Sequence, residues 1–253
     1  MQYTNTAQLV YTALSFRPAN GEKIFHYLFI VNLLAGTIAY YAEGSGLAYS
    51  VVEQHLYVDE AATFQVFYAK YIYWVVSFPT IILALGLVSG VSWATIVFNI
   101  FLAWVWVVSY LASAYTATVY KWGFYAFGTV AYVLLAFQTL WAGRTAALRL
   151  NVAVAHHTIL SGFVNLLWLL YPIAFALADG GNYLSVTESL IFFGVLDVLL
   201  VLGTAFGFLW FSRGWDYGRL NLHFTQYGRV ATSSVPVHPE KGVTAAEPAA
   251  ATV

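Results

Sequence analysis

No cysteine occurs among the 253 residues, which excludes disulfides, thiolate metal sites and thiol catalysis. Charge is almost as scarce. Asp, Glu, Lys and Arg make up 8% of the chain, where a soluble domain carries roughly a quarter. A surface so poor in ionisable groups cannot be wetted by water alone, so the lipid bilayer is the first expected partner. The stretch between Lys70 and Lys121 has no charge at all, which leaves room for two spans of about 20 residues each. A formal net charge of −1 offers no basic field for nucleic acid. The first residues lack a basic leader, an apolar core and a small-residue cleavage site, and are not expected to be a signal peptide. No nucleophile–base pair, phosphate loop or metal-ligand cluster can be assembled from the residues, so nothing points to an enzyme or to a metal site.

What is abundant is apolar and aromatic, at 61% and 19% of residues. Residues 24–42, 64–87, 91–112, 122–143, 152–178 and 183–211 each read as a membrane span, with 44–63 as a loop. Residues 7–16 are apolar but too short to cross about 30 Å of hydrocarbon. The polar turn 17–23 follows them. Arg17, Lys23, Arg144, Arg149, Arg213 and Arg219 fall on one side of this arrangement. Glu43, Glu53, Asp59, Glu60, Asp179 and Glu188 fall on the other, with Lys121 as the exposed cation there. The excess of Lys and Arg places the 17–23 turn, the 144–151 loop and the C-terminus in the cytoplasm. Beyond Tyr227 the chain is rich in Ala, Pro, Ser, Thr and Val, a composition that does not pack. The expected organisation is a stub at 1–16, a bundle at 17–215 and a cytoplasmic, largely disordered tail at 216–253.

Within the last span, Asp197 interrupts a long apolar run. A carboxylate at that depth is costly and usually marks a functional position. Val201 lies one turn further along the same face. The segment Gly194-Val195-Leu196-Asp197-Val198 resembles the seventh helix of microbial rhodopsins, in particular the fungal opsin-related, membrane heat-shock branch. In that family the position matching Val201 is the lysine that holds retinal as a Schiff base, and the aspartate is part of its counterion. The resemblance covers residues 7 to about 215. It implies an all-α membrane protein, a rhodopsin-like seven-helix bundle, here with six full spans and a truncated first helix. It also implies that retinal is not bound covalently, since valine has no amine.

The segment from Phe67 to Pro79 is similar to the proton-pumping helix of the family, anchored by the spacing of Trp74 and Pro79. By that match Lys70 replaces an arginine and Tyr73 replaces the proton-acceptor aspartate. Ser77 stands for a threonine, and Ala84 stands where the family has a cytoplasmic proton donor. A pump needs carboxyls of staggered pKa on both sides of its chromophore, and this helix lacks both. The aromatic shell is better kept. The resemblance places Trp74, Phe78, Tyr125, Gly128, Trp168, Tyr171, Phe175, Asp197 and Val201 around a vestigial retinal pocket. Aromatics filling a bundle core, or a shell enclosing a non-covalent apolar ligand, fit the same residues.

Charge accounting gives a further expectation. The family core sets two cations against two carboxylates, and this sequence loses one of each, at Val201 and Tyr73. Unpaired buried charges cost several kcal/mol each. Lys70 and Asp197 are therefore expected to form a direct or water-bridged pair, with the Tyr73 hydroxyl nearby. The alternative is a snorkelling Lys70 with a protonated Asp197. His156 and His157 point about 100° apart on a helix, a poor chelating geometry, and are expected at a solvated interface. Gly36, Gly86, Gly128, Gly162 and Gly203 suit close helix approach. The resemblance implies a stress-linked plasma-membrane protein in contact with other membrane proteins, such as a proton-pumping ATPase. A light-driven proton transporter or photoreceptor is the competing expectation, and its test is all-trans-retinal.

Overall fold

The computed structural model describes residues 23–54, 62–151, 153–217, 220, 222, 224–225 and 228–229. The stub at 1–16, most of the 17–23 turn, Asp59, Glu60, Arg219 and nearly all of the tail lie outside the described residues. Among those described, six helices are long and apolar enough to cross a membrane.

Helix α1 (Lys23–Gly44) leads into a hairpin of β1 (Tyr49–Gln54) and β2 (Ala62–Phe67), paired antiparallel with Tyr49 opposite Phe67. Residues 64–67 are thus strand, where the sequence suggests the start of a helix. Thr63-Phe64-Gln65-Val66 alternates polar and apolar side chains, the period of a half-buried strand. Helix α2 (Tyr68–Ser89) follows directly and ends at Gly90, whose φ of +70° is the left-handed cap that glycine adopts without strain. Helix α3 (Trp93–Tyr115) is capped by Ser92, whose hydroxyl accepts the Thr95 N–H.

The next span, Lys121–Leu150, comprises α4 (Lys121–Phe137), a π turn (Gln138–Ala142) and α5 (Gly143–Leu150). Helix α6 (Val154–Phe175) runs into a second π turn (Ala176–Gly180). Helix α7 (Val186–Phe211) opens with a capping box between Ser185 and Glu188, which satisfies two backbone donors at once.

Helix α2 is the axis of the bundle: 72% of its span is buried, against 28% for Lys121–Leu150. This difference places the chemistry. Beyond Ile72 the side chains of α2 are buried or half-buried, whereas most of Lys121–Leu150 meets the membrane.

Candidate functional site

Trp74 and Phe78 stand one turn apart on α2, and both are buried. Around them close Trp106 and Tyr110 from α3 and Trp168, Tyr171 and Phe175 from α6. Phe78 sits in the middle. Its ring centroid is 6.0 Å from Trp74, 5.0 Å from Trp106, 5.4 Å from Trp168 and 5.4 Å from Tyr171. Such centroid spacings are those of rings in direct contact. The hollow bounded by Trp74, Phe78, Trp106, Val107, Tyr110 and Tyr171 has no room for a water-sized sphere.

At the far end of this cage, Tyr125 stacks on Phe175 at 5.8 Å and on Tyr110 at 5.3 Å, and its hydroxyl donates to the Pro172 carbonyl. Gly128 is needed there. A Cβ on it would meet the Tyr110 ring at 2.7 Å, so a larger residue would push that ring out of the stack. The expected shell residues are therefore brought together, and they fill their own interior.

Asp197 is buried at the edge of the cage. The Tyr171 hydroxyl donates to its Oδ1 at 2.6 Å, the Trp74 indole N–H to the same oxygen at 3.0 Å, and the Tyr40 hydroxyl to Oδ2. Three donors from three helices compensate the loss of water around the carboxylate. Tyr73 contributes to a small cavity of about 20 Å³ that it shares with Leu33, Gly36, Tyr40, Asp197 and Val201. That volume holds about one water.

The expected Lys70–Asp197 pair is not the one that forms. Lys70 Nζ lies 2.6 Å from Asp179 Oδ2, with both side chains buried, and the Tyr71 hydroxyl donates to the same carboxylate oxygen. The physical reason is the π turn at Ala176–Gly180. It carries Asp179, expected in an outer loop, into the bundle beside Lys70. Asp197 meanwhile has its oxygens occupied by neutral donors. Lys70 also lies 4.4 Å from the centre of the Phe193 ring, so its charge is held inside and does not snorkel outward.

Lys121, expected to be exposed, is buried, and its Nζ donates to the Asp179 carbonyl at 3.1 Å. His157, expected at a solvated interface, is not there, whereas His156 stays partly exposed. His157 is buried against Gly143. His156 stacks on Phe211 at 4.5 Å and accepts the Trp215 indole N–H at 2.9 Å. Gly36 packs under the Tyr73 ring as expected, whereas Gly162 has nothing near the place of a Cβ.

Sequence reasoning missed Tyr40 and Asp179. Tyr40 carried a signal: as a phenol in the apolar run of α1, its hydroxyl needs a buried acceptor, and Asp197 was the unsatisfied candidate.

The family model for bacteriorhodopsin-like proteins matches residues 3–214, and the chain belongs to that family. It is an integral membrane protein with a rhodopsin-like bundle. Protein FDD123 of Trametes versicolor is 35% identical over 220 residues, which are 87% of this chain and 77% of that one. The 30 kDa heat shock protein of Saccharomyces cerevisiae is 32% identical over 145 residues, 53% of this chain and 42% of that one. Among solved structures, the light-driven proton pump LR (Mac) from Leptosphaeria maculans aligns with a TM-score of 0.78 at 26% identity, over 86% of this chain and 92% of the pump.

The fold implies retinal, and the residues present do not fit it as a Schiff base. Val201 carries no amine. The buried amines of Lys70 and Lys121 are engaged by Asp179. The Trp168 indole nitrogen is buried without a hydrogen-bond partner, but an indole N–H is a donor and not a nucleophile.

Proposed function

We propose that this chain is an opsin-like membrane protein that does not hold retinal covalently and works without light, through contacts with other membrane proteins under stress. The observation that carries this reading is Phe78 packed against Trp74, Trp106, Trp168 and Tyr171, in a bundle whose position 201 is valine. A polyene lying between Trp74 and Trp168 needs the space that this ring occupies. The similarity to a yeast heat shock protein supports the stress-linked part. Plasma-membrane residence, a cytoplasmic C-terminus and a partner such as a proton-pumping ATPase belong to the same proposal.

The test is to add all-trans-retinal to purified protein and treat it with borohydride. The expected result is no red-shifted absorption band and no retinyl adduct; an adduct on any lysine overturns the proposal. Co-purification from native membrane addresses the partner: a stoichiometric membrane protein supports the reading, and recovery of the chain alone counts against it.

The second reading is a light-driven proton transporter or photoreceptor. Its support is the similarity to the Leptosphaeria pump and the kept aromatic shell. It requires retinal held by packing alone, and a visible band that survives hydroxylamine would favour it. A non-covalent apolar ligand other than retinal has less support, because the cavity beside Val201 is about 20 Å³, far below the 300–1,000 Å³ of ordinary ligand pockets.

A further inference from the structure

Away from the cage, a groove of about 610 Å³ runs between the α2–α3 turn and the arginine-bearing end of the span Lys121–Leu150. Ser92, Gln138, Trp141, Thr145 and Arg149 line it. Across the ridge formed by Trp141 and Thr145 lies a second hollow of about 430 Å³, lined by Phe137, Leu140, Leu148 and Arg144. The wall between turn and helix is closely fitted. A Cβ on Gly90 would come 2.1 Å from Leu150 Cδ1, so only glycine lets the turn seat against the helix end.

The depth of these grooves follows from helix length. The span Lys121–Leu150 has 30 residues, about 45 Å at 1.5 Å per residue, and the hydrocarbon is about 30 Å thick. Its Lys121 end is held inside the bundle by the Asp179 carbonyl. The surplus length therefore emerges at the other end. Trp141 stands about 30 Å along from Lys121, at the level where indoles gather at the headgroup boundary. It is 68% exposed and stacked on Phe137 at 6.3 Å. Arg144 and Arg149 lie beyond it, both exposed, and neither has an acidic partner among the described residues. The π turn Gln138–Ala142 sits just below the two arginines, and such turns are frequent at functional sites.

We propose that the two grooves hold one anionic phospholipid of the adjacent leaflet. Its phosphodiester lies in the larger groove against Arg149, with the polar headgroup towards Ser92 at the α2–α3 turn. One acyl chain crosses Trp141 into the hollow of Phe137 and Leu140, and Arg144 at the rim adds a second positive charge. Each part of the lipid meets its own chemistry: cations and hydrogen-bonding groups at headgroup level, aromatic and aliphatic walls below. The site is independent of what fills the aromatic cage.

Native mass spectrometry of the full chain, offered equimolar phosphatidylserine and phosphatidylcholine, tests it. Phosphatidylserine should be retained preferentially, and Arg149→Gln and Arg144→Gln should each reduce that preference about fivefold. Arg149→Lys keeps the charge and should keep most of the preference, which separates loss of binding from loss of fold; Arg213→Gln should change nothing. Equal retention of the two lipids, or an unchanged preference in the double Arg144→Gln/Arg149→Gln variant, overturns the proposal. Displacement of phosphatidylserine by millimolar inorganic phosphate also overturns it, since that marks a site for a soluble anion.

Discussion

Lys70 of α2 and Asp179, carried by the π turn that follows α6, meet at 2.6 Å inside the bundle. Removing one partner of such a pair leaves the other buried and uncompensated. Lys70→Met is therefore expected to cost about 3–5 kcal/mol of stability, read by denaturant titration in detergent. Adding Asp179→Asn should recover much of that loss. Adding Asp197→Asn should not, and a recovery there would mean that Lys70 pairs with Asp197 after all.

The hydrogen bonds onto Asp197 give a second prediction. Tyr171→Phe and Tyr40→Phe each remove a hydroxyl donor from a buried carboxylate while leaving the ring in place. Each should destabilise the protein by about 1–3 kcal/mol. Combined with Asp197→Leu, which removes the acceptor as well, neither tyrosine change should cost as much. A double-mutant cycle reads this coupling, and additive losses would show that the hydroxyls do not act through Asp197.

A third prediction concerns Phe78. Val201→Lys with Tyr73→Asp restores the family's amine and acceptor but leaves the cage filled, so this variant should stay colourless with all-trans-retinal. Phe78→Ala added to it should open space among Trp74, Trp106, Trp168 and Tyr171 and yield a coloured, borohydride-trappable pigment. The extra change should cost about 3–5 kcal/mol as a large-to-small core substitution, so folding is checked first by circular dichroism. Colour in the variant that retains Phe78 would show that this ring does not block the slot.

The contact between His156 and Trp215 gives a fourth. The indole N–H donates to His156 Nδ1, and the Trp215 ring packs at 5.4 Å from Phe25 and 5.8 Å from Phe208. This ties the segment after α7 to both ends of the helical chain. Trp215→Ala should raise protease cleavage near Arg213 several-fold, with little change in the far-UV spectrum. His156→Ala, losing about 0.5–1.5 kcal/mol for one hydrogen bond, should have a smaller effect in the same direction. Unchanged cleavage in both variants would remove the anchoring role.

The spans were legible because apolar runs bounded by charge leave few alternatives in a chain with 8% charged residues. The aromatic shell was legible too, since Trp74, Trp168 and Tyr171 keep the spacing of the resembled helices. Which charges meet was not. Sequence spacing treats helix ends as regular, and a regular end to α6 leaves Asp179 in an outer loop. The burial of Lys121 and His157 escaped notice for a related reason: a polar residue at the end of a span reads as solvated until a neighbouring helix is seen to cover it. The hairpin was hidden because the alternation at Thr63-Phe64-Gln65-Val66 runs without a break into the apolar helix Tyr68–Ser89 and was absorbed into that span.

The π turn at Ala176–Gly180 has one more consequence. Each such turn contains a surplus residue relative to α-helical winding, so everything past it is rotated by roughly 100°. Deleting a single alanine ahead of Asp179 would swing the carboxylate away from the amine and leave the rest of α6 untouched. The residue count of this junction thus works as a rotary control on the charge pattern at the outer end of the bundle, one that leaves every core side chain unchanged.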